Sequence, residues 1–145
     1  MVVKNILLVE DNPDDVELTK RAFSKGQYQY QLNIVEAKDG VEALKELAPL
    51  ETNHPENLFS LILLDLHLPR VDGFEVLKKL KTNDHLRHIP VVILTSSNEK
   101  SDLNKAYSLG ANSYIRKPVD FNTFSTSIAE IRRYWLELNE GMSGA

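Results

Sequence analysis

An unbroken apolar run ends in a single carboxylate near the middle of the chain. Residues 61–64 are Leu-Ile-Leu-Leu, Asp65 follows directly, and Pro69 stands four positions later. A short run of this kind predicts a strand covered on both faces, although a buried helical turn has the same pattern. Residues just past the carboxyl end of such a strand form the usual floor of a site in open α/β sheets. Asp65 is therefore the first candidate for a functional residue.

Polar residues also follow three of the other predicted strands, at the point where each strand ends. They are Glu10 and Asp11 after residues 5–9, Thr95 after residues 90–94, and Lys117 after residues 113–116. The carboxyl ends of parallel strands lie on one edge of a sheet, so residues far apart in sequence would meet there with Asp65.

The chemistry of this set is that of a phosphoryl-transfer site. Carboxylates a few ångströms apart repel by about 1 to 4 kcal/mol per close pair, so a fold that keeps them together is expected to hold a cation. All-oxygen ligands suit Mg²⁺. Lys117 cannot share the metal but can pair with an anion beside it, and Thr95 offers that anion a hydroxyl. Asp65 is then the available nucleophile, and its product would be an acyl phosphate.

The elements that position these residues alternate between strand and helix. Strands are predicted at residues 5–9, 32–37, 61–65, 90–94 and 113–116, and helices from Asn12, at residues 40–47, 73–81 and 102–109, and from Asp120. This order favours an α/β fold with a five-stranded parallel sheet and helices on both faces. The flavodoxin-like strand order 2-1-3-4-5 would place strands 1 and 3 side by side at the crevice. Residues 48–60 contain Pro and Asn without periodicity and predict a long exposed loop.

Composition excludes several classes of protein. The chain has 145 residues, enough for one domain with a core, and its net charge of -4 argues against a nucleic-acid surface. It has no cysteine, so neither a disulfide nor a thiolate metal site is possible. The amino terminus lacks the apolar region of a signal peptide, and no apolar run is long enough to span a membrane. A cytoplasmic location is expected.

The order of these motifs resembles the receiver domains of two-component response regulators. The resemblance extends from about residue 4 to residue 131. It rests on Leu8-Val9-Glu10-Asp11, Leu64-Asp65-Leu66 with Pro69 and Asp72-Gly73, Leu94-Thr95-Ser96, and Lys117-Pro118. Each motif is weak alone, but in this order and at these strand ends they are highly specific.

The resemblance implies a role for each residue of the metal and phosphoryl site. Asp65 would accept a phosphoryl group from a histidine kinase or a phosphotransfer protein. Asp11 and Asp65 would bind Mg²⁺ through their side chains, Glu10 through water, and His67 through its backbone carbonyl. Thr95 and Lys117 would contact the phosphoryl oxygens.

The resemblance also implies a switch and a means of tuning the lifetime of the acyl phosphate. Movement of Thr95 toward the phosphoryl group would let the ring of Tyr114 turn inward, which is a shift between two populated states. The side chains of His67 and Ser97 would flank the phosphoryl group and tune its hydrolysis. The bond between Lys117 and Pro118 is expected to be cis.

The last helix carries an apolar stripe beyond the usual end of a receiver. The stripe consists of Phe121, Phe124, Ile128, Ile131, Trp135 and Leu138. One interpretation is that Trp135 folds back on the domain; the other, which is favoured, is that Tyr134, Trp135 and Leu138 form a homodimer seam. Residues 1–138 would then be one receiver domain and residues 139–145 a disordered tail. The 48–60 loop, the approach to Pro90 and this terminus are similar to stand-alone regulators that serve phytochrome-type histidine kinases.

Two other functions use the same residues differently. The first is a Mg²⁺-dependent phosphatase with an aspartyl nucleophile, but such enzymes usually need an acid two residues after the nucleophile, where His67 stands. The second is a flavodoxin-like mononucleotide binder, but the chain lacks a glycine loop that could cradle a phosphate after the first strand. The favoured function is a signalling module without an attached output domain.

Overall fold

The sheet has five parallel strands in the order β2-β1-β3-β4-β5. The computed structural model describes residues 2–52 and 59–141. The strands are β1 at Val2–Val9, β2 at Tyr30–Ala37, β3 at Leu61–Leu64, β4 at Val91–Thr95 and β5 at Ser113–Arg116. The predicted fold class and strand order are confirmed. Among the helices of the described ranges, none has the length and hydropathy needed to cross a membrane.

In the described residues four α-helices connect the strands and a fifth follows the last strand, and together they cover both faces of the sheet. They are α1 at Pro13–Phe23, α2 at Gly40–Leu47, α3 at Gly73–Thr82, α4 at Lys100–Ser108 and α5 at Phe121–Arg132. Side-chain oxygens of Asn12, Asp39, Asp72 and Asp120 accept hydrogen bonds from backbone N–H groups in the first turns of α1, α2, α3 and α5. Such caps satisfy donors that a helix start leaves unpaired, so the turn at each strand end is fixed by local sequence.

The central strand β3 is buried on both faces, and successive residues enter different halves of the core. Ile62 and Leu64 pack with residues of α2, α3 and α4, whereas Leu61 and Leu63 pack with residues of α1 and α5. All four side chains have no exposed surface. The continuous apolar run therefore reflects a strand between two helical layers.

The prediction of a long exposed loop at residues 48–60 is wrong for the part that the structure describes. Ala48–Thr52 forms a 3₁₀ helix directly after α2, and the side chains of Leu50 and Phe59 are only 3% and 8% exposed. Both belong to the core cluster beneath α2 and α3, and burying these apolar groups outweighs the turn-forming tendency of their Pro and Asn neighbours. Residues 53–58, with His54, lie outside the described residues.

The chain continues from α5 into a helix of wider winding. This change alters which residues of the predicted apolar stripe are buried. Arg133–Leu138 is a π-helix, with a hydrogen bond of 2.6 Å from the backbone N–H of Asn139 to the carbonyl of Tyr134. The wider turn inserts one residue, so Leu136 is buried and the predicted stripe residue Leu138 is 58% exposed. Trp135 is half-buried and packs against the core cluster between the sheet and helices α1 and α5. The side chain of Trp135 therefore folds back on the domain, as the first of the two interpretations stated.

Candidate functional site

Three carboxylates meet at the carboxyl edge of the sheet, where β1 and β3 end. One oxygen from each of Glu10, Asp11 and Asp65 lies within 4.8 Å of the other two. The pairing of Val9 with Leu64 places the next residues of both strands side by side. Glu10 is 4% exposed and Asp65 is 7% exposed, whereas Asp11 is open to solvent. The structure thus brings together the acids that the sequence assigned to one crevice.

The ammonium group of Lys117 lies among these acids at the end of β5. Its Nζ donates to Glu10 Oε1, to Asp15 Oδ2 at 2.8 Å and to Asp65 Oδ2 at 3.4 Å. Only 10% of the Lys117 side chain is exposed, so these interactions are poorly screened. One cation therefore bridges three acids that come from three parts of the chain.

Asp15 is a site residue that the sequence did not reveal. Its position in the first turn of α1 is explained by the helix dipole, which favours acids there whether or not they have another role. The available signal was its spacing of four residues from Asp11. Because α1 begins immediately beyond the site, that spacing leaves Asp15 within reach of Lys117.

Burial raises the pKa of Glu10, and the surrounding acids raise the pKa of Lys117. Burial raises the pKa of Glu10 from 4.5 to about 7, the charge of Asp65 adds to this effect, and the hydrogen bond from Lys117 opposes it. Burial would lower the pKa of Lys117, but its hydrogen bonds to Asp15 and Glu10 and the charge of Asp65 reverse the sign and raise it. Lys117 is therefore a permanent cation that does not neutralise all of its neighbours.

The donor set fits a hard divalent cation. Carboxylate oxygens of Glu10, Asp11 and Asp65 face a common volume, and oxygen donors in this number suit Mg²⁺ or Mn²⁺. The His67 side chain is directed elsewhere, since its Nε2 lies 3.1 Å from Asp102 Oδ2. The backbone N–H of His67 faces Asp65 Oδ1 at 3.4 Å.

The two predicted switch residues are linked through the loop that follows β4. Thr95 is fully buried, and its Oγ1 faces the backbone N–H of Ser97 at 3.4 Å. The hydroxyl of Tyr114 donates to the carbonyl of the same Ser97 at 3.2 Å. The Lys117 N–H donates to the Thr95 carbonyl at 2.7 Å, so the ends of β4 and β5 are tied together.

The prediction of a cis bond before Pro118 is wrong in this structure. The Lys117–Pro118 peptide is trans, as are the other peptide bonds of the described residues. An X–Pro bond prefers trans by only about 0.5 to 1 kcal/mol, so its isomer depends on tertiary contacts that a dipeptide motif does not encode.

The remaining predicted residues lie in two separate places. His67 and Ser97 flank the site, and both of their side chains contact Asp102. Tyr134 and Leu138 lie on the last helix and are 51% and 58% exposed. This terminus lies at the other end of the sheet, where Lys4 near the start of β1 donates to the carbonyl of Leu136.

Comparison with known sequences gives matches over nearly the whole chain. The model of the response regulator receiver domain matches residues 6–129. The Probable methanogenesis regulatory protein FilR2 of Methanothrix harundinacea is 42% identical over 134 residues, which are 92% of this chain and 84% of that protein. Response regulator Rcp1 of Synechocystis is 36% identical over 134 residues, which are 92% of this chain and 90% of Rcp1.

Solved structures of response regulators share the fold of this chain. The phosphorylated cyanobacterial phytochrome response regulator RcpA has a TM-score of 0.87 and 34% identity, covering 98% of this chain and 100% of RcpA. The Mn²⁺-bound form of Rcp1 has a TM-score of 0.82 and 35% identity, covering 97% and 99% of the two chains. The bacteriophytochrome response regulator AtBRR has a TM-score of 0.69 and 48% identity, covering 97% and 100%.

These similarities and the geometry lead to one assignment. Receiver domains are signalling proteins that bind a divalent metal, and the acids of this chain lie at the strand ends where such a site is built. The match covers the sheet except for the first half of β1, the acid cluster and most of α5. With its strand order and its buried Lys117 among acids, the chain belongs to the family of response regulator receiver domains.

Proposed function

We propose that the chain acts in the cytoplasm as a stand-alone response regulator that accepts a phosphoryl group on Asp65. The observation that carries the proposal is the position of this carboxylate. Asp65 is 7% exposed, lies 3.4 Å from the ammonium group of Lys117, and shares a volume with Glu10 and Asp11. A carboxylate between a cation and a pair of acids that could hold a divalent metal is a suitable nucleophile for a phosphoryl group.

Each residue then has a defined task in the transfer. Bound Mg²⁺, held by Asp11 and Asp65, with Glu10 through water and the His67 carbonyl, would neutralise charge on the transferring group. The Lys117 ammonium, which already contacts Asp65, would pair with the phosphoryl oxygens. The Thr95 hydroxyl would bind another of these oxygens. The chain would catalyse only its own phosphorylation and dephosphorylation.

Phosphorylation would reach the surface through Thr95 and Tyr114. A movement of Thr95 toward the phosphoryl group would alter its contact with the backbone N–H of Ser97, which lies 3.4 Å from the Thr95 hydroxyl, and so disturb the loop after β4. The Ser97 carbonyl accepts the hydrogen bond from Tyr114, so this movement would release the ring to turn inward. Signalling would be a population shift between these two arrangements.

The proposed phosphodonor is a histidine kinase of the phytochrome type, or a phosphotransfer protein acting between kinase and regulator. Support comes from the 48% identity to the bacteriophytochrome response regulator AtBRR and from the fold similarity to RcpA. FilR2, at 42% identity, is named for methanogenesis. The type of kinase is therefore proposed from the two phytochrome regulators together.

Intact-mass spectrometry tests the proposed function. After incubation with a small acyl phosphate and Mg²⁺, the unaltered chain should gain one phosphoryl group, and chelation of Mg²⁺ should prevent the gain. Asp65→Asn should gain none, and Asp11→Ala should gain it far more slowly. Asp72→Asn is the matched control, since Asp72 is an exposed cap of α3 and should leave uptake unchanged. No adduct on the unaltered chain, or an undiminished adduct on Asp65→Asn, would refute the proposal.

A further inference from the structure

A carboxylate of α4 joins the two loops that border the site. Asp102 Oδ2 accepts a hydrogen bond of 2.6 Å from the Ser97 hydroxyl and lies 3.1 Å from His67 Nε2. His67 lies in the loop after β3, Ser97 lies in the loop after β4, and Asp102 is in the first turn of α4. We name these three residues the clasp. Its carboxylate is only 18% exposed, whereas the imidazole is 63% exposed.

The two outer residues of the clasp contact the site through their backbones. The N–H of His67 faces Asp65 Oδ1, and the N–H of Ser97 faces Thr95 Oγ1, each at 3.4 Å. Both distances are at the long limit of a hydrogen bond, so a small movement of either loop would lose the contact. The side chains that could prevent such movement are the two that converge on Asp102.

We propose that Asp102 is a positioning residue for phosphoryl transfer: through His67 and Ser97 it holds two backbone N–H groups against the Asp65 carboxylate and the Thr95 hydroxyl. The inference rests on the proposed function and adds to it a residue outside the acid cluster. Asp102 acts only through its partners, which are one hydroxyl and one imidazole on different loops. A single oxygen that accepts from both loops couples their positions, so neither N–H group can drift alone.

The proposed phosphoryl transfer exchanges one phosphorus–oxygen bond for another. A phosphorus–oxygen bond forms at an Asp65 carboxylate oxygen while the phosphorus–oxygen bond to the donor's acyl group breaks. The donor leaves as a carboxylate ion, and no proton has to move because the nucleophile is ionised. The N–H of His67 orients the reacting carboxylate, and the N–H of Ser97 orients the hydroxyl that would bind the phosphoryl group. Loss of orientation without loss of the groups themselves is expected to slow such a step by about 10-fold.

The test compares rates of phosphoryl uptake from acetyl phosphate at saturating Mg²⁺. Asp102→Ala should take up the phosphoryl group about 10-fold more slowly than the unaltered chain. Asp102→Asn should retain a rate close to that of the unaltered chain, because the amide oxygen still accepts from both partners. Asn104→Ala, an exposed change on the same helix, is the control for α4 and should have no effect.

A double substitution separates positioning from general destabilisation. If Ser97 acts through Asp102, the variant with both Ser97→Ala and Asp102→Ala should be no slower than Asp102→Ala alone. Thermal unfolding measures the stability of the two variants of Asp102. Asp102→Asn and Asp102→Ala should be similar in stability, so that stability does not explain the difference between their rates of uptake.

The possible failures are distinguishable. Uptake by the unaltered chain at the same rate as Asp102→Ala would overturn the clasp and leave the proposed function standing. Asp102→Asn as slow as Asp102→Ala would also overturn it, since charge rather than positioning would then be responsible. No uptake by the unaltered chain would overturn both proposals.

Discussion

Glu10 is the acid of the site whose ionisation reports most directly on its burial there. Folding raises its pKa from 4.5 to about 7, chiefly because the carboxyl is buried. The protonated form is therefore favoured by the fold. Its stabilising contribution is fully present below pH 4.5 and is lost as the pH rises through about 7.

We therefore predict that, without metal, the free energy of unfolding of the unaltered chain relative to Glu10→Gln falls by up to about 3 kcal/mol between pH 4.5 and 7.5. Urea titrations in the presence of a chelator at several pH values measure this difference. Glu46→Gln, at an exposed position of α2, should show no such trend. A difference that stays constant over the range would mean that burial does not raise the pKa of Glu10.

The residues of the site differ in how far the sequence could predict them. Glu10, Asp11, Asp65, Thr95 and Lys117 stand at the carboxyl ends of predicted strands, and this shared position marks them. Two further acids, Asp15 and Asp102, lie in first turns of helices, where acids are favoured for local reasons. Only the packing of α1 and α4 against the strand ends shows that Asp15 reaches Lys117 and that Asp102 reaches Ser97.

At the scale of elements, the start of α3 is placed by a glycine that lets two backbones approach. A Cβ atom on Gly73 would lie 2.2 Å from the carbonyl oxygen of Asp65 and 2.7 Å from Leu66 Cα. Because these neighbours are backbone atoms, they cannot turn aside as a side chain could. The close contact fixes the loop that carries His67 beneath the site.

We predict that Gly73→Ala lowers the free energy of unfolding by about 3 kcal/mol, because α3 and the end of β3 must separate. Phosphoryl uptake should slow as well, since Asp65 moves with its carbonyl. Gly141→Ala is the matched control: a Cβ there would meet no described atom within 4 Å, and its cost should stay below about 0.5 kcal/mol. Thermal or urea unfolding measures both changes, and equal stability of the two variants would contradict the predicted contact.

The π-helix at Arg133–Leu138 is the element that periodicity could not predict. Regular steps of three and four residues place Leu138 inward, but one inserted residue buries Leu136 instead. The strands and the capped helix starts were predictable because apolar runs and cap residues act locally. An inserted residue depends on how the helix end meets the sheet.

We predict that Leu136→Ala lowers the free energy of unfolding by about 2 to 4 kcal/mol, because it leaves a cavity in the core. Leu138→Ala should change it by less than about 0.5 kcal/mol, because 58% of that side chain is already exposed. Urea unfolding of both variants measures the contrast. A larger loss for Leu138 than for Leu136 would show that the last helix winds regularly.

At the scale of the whole molecule, the exposed apolar groups of the last helix provide a candidate homodimer seam. Tyr134 and Leu138 are 51% and 58% exposed, and Tyr134 lines an open cavity of about 350 Å³ with Ile115, Glu130 and Trp135. Aromatic groups in such a position are frequent anchors of interfaces. The homodimer is a proposal from exposure and residue type.

Sedimentation velocity over a range of concentrations tests this seam. Tyr134→Ala should raise the dissociation constant of the dimer at least about 10-fold, which corresponds to about 1.4 kcal/mol. Val119→Ala is the control, because Val119 is fully exposed on the loop before α5 and lies outside the seam. A monomer at all concentrations, with and without phosphorylation, would refute the homodimer.

The central claim is that separate strand ends form one site whose nucleophile is Asp65, and peptide mapping of the acyl phosphate tests it most directly. Borohydride reduces an acyl phosphate to an alcohol and so marks the phosphorylated side chain permanently. After incubation with acetyl phosphate and Mg²⁺, the reduced residue should be found only at Asp65, and chelation of Mg²⁺ should abolish it. Reduction at Asp11, at another carboxylate or at no residue would contradict the account.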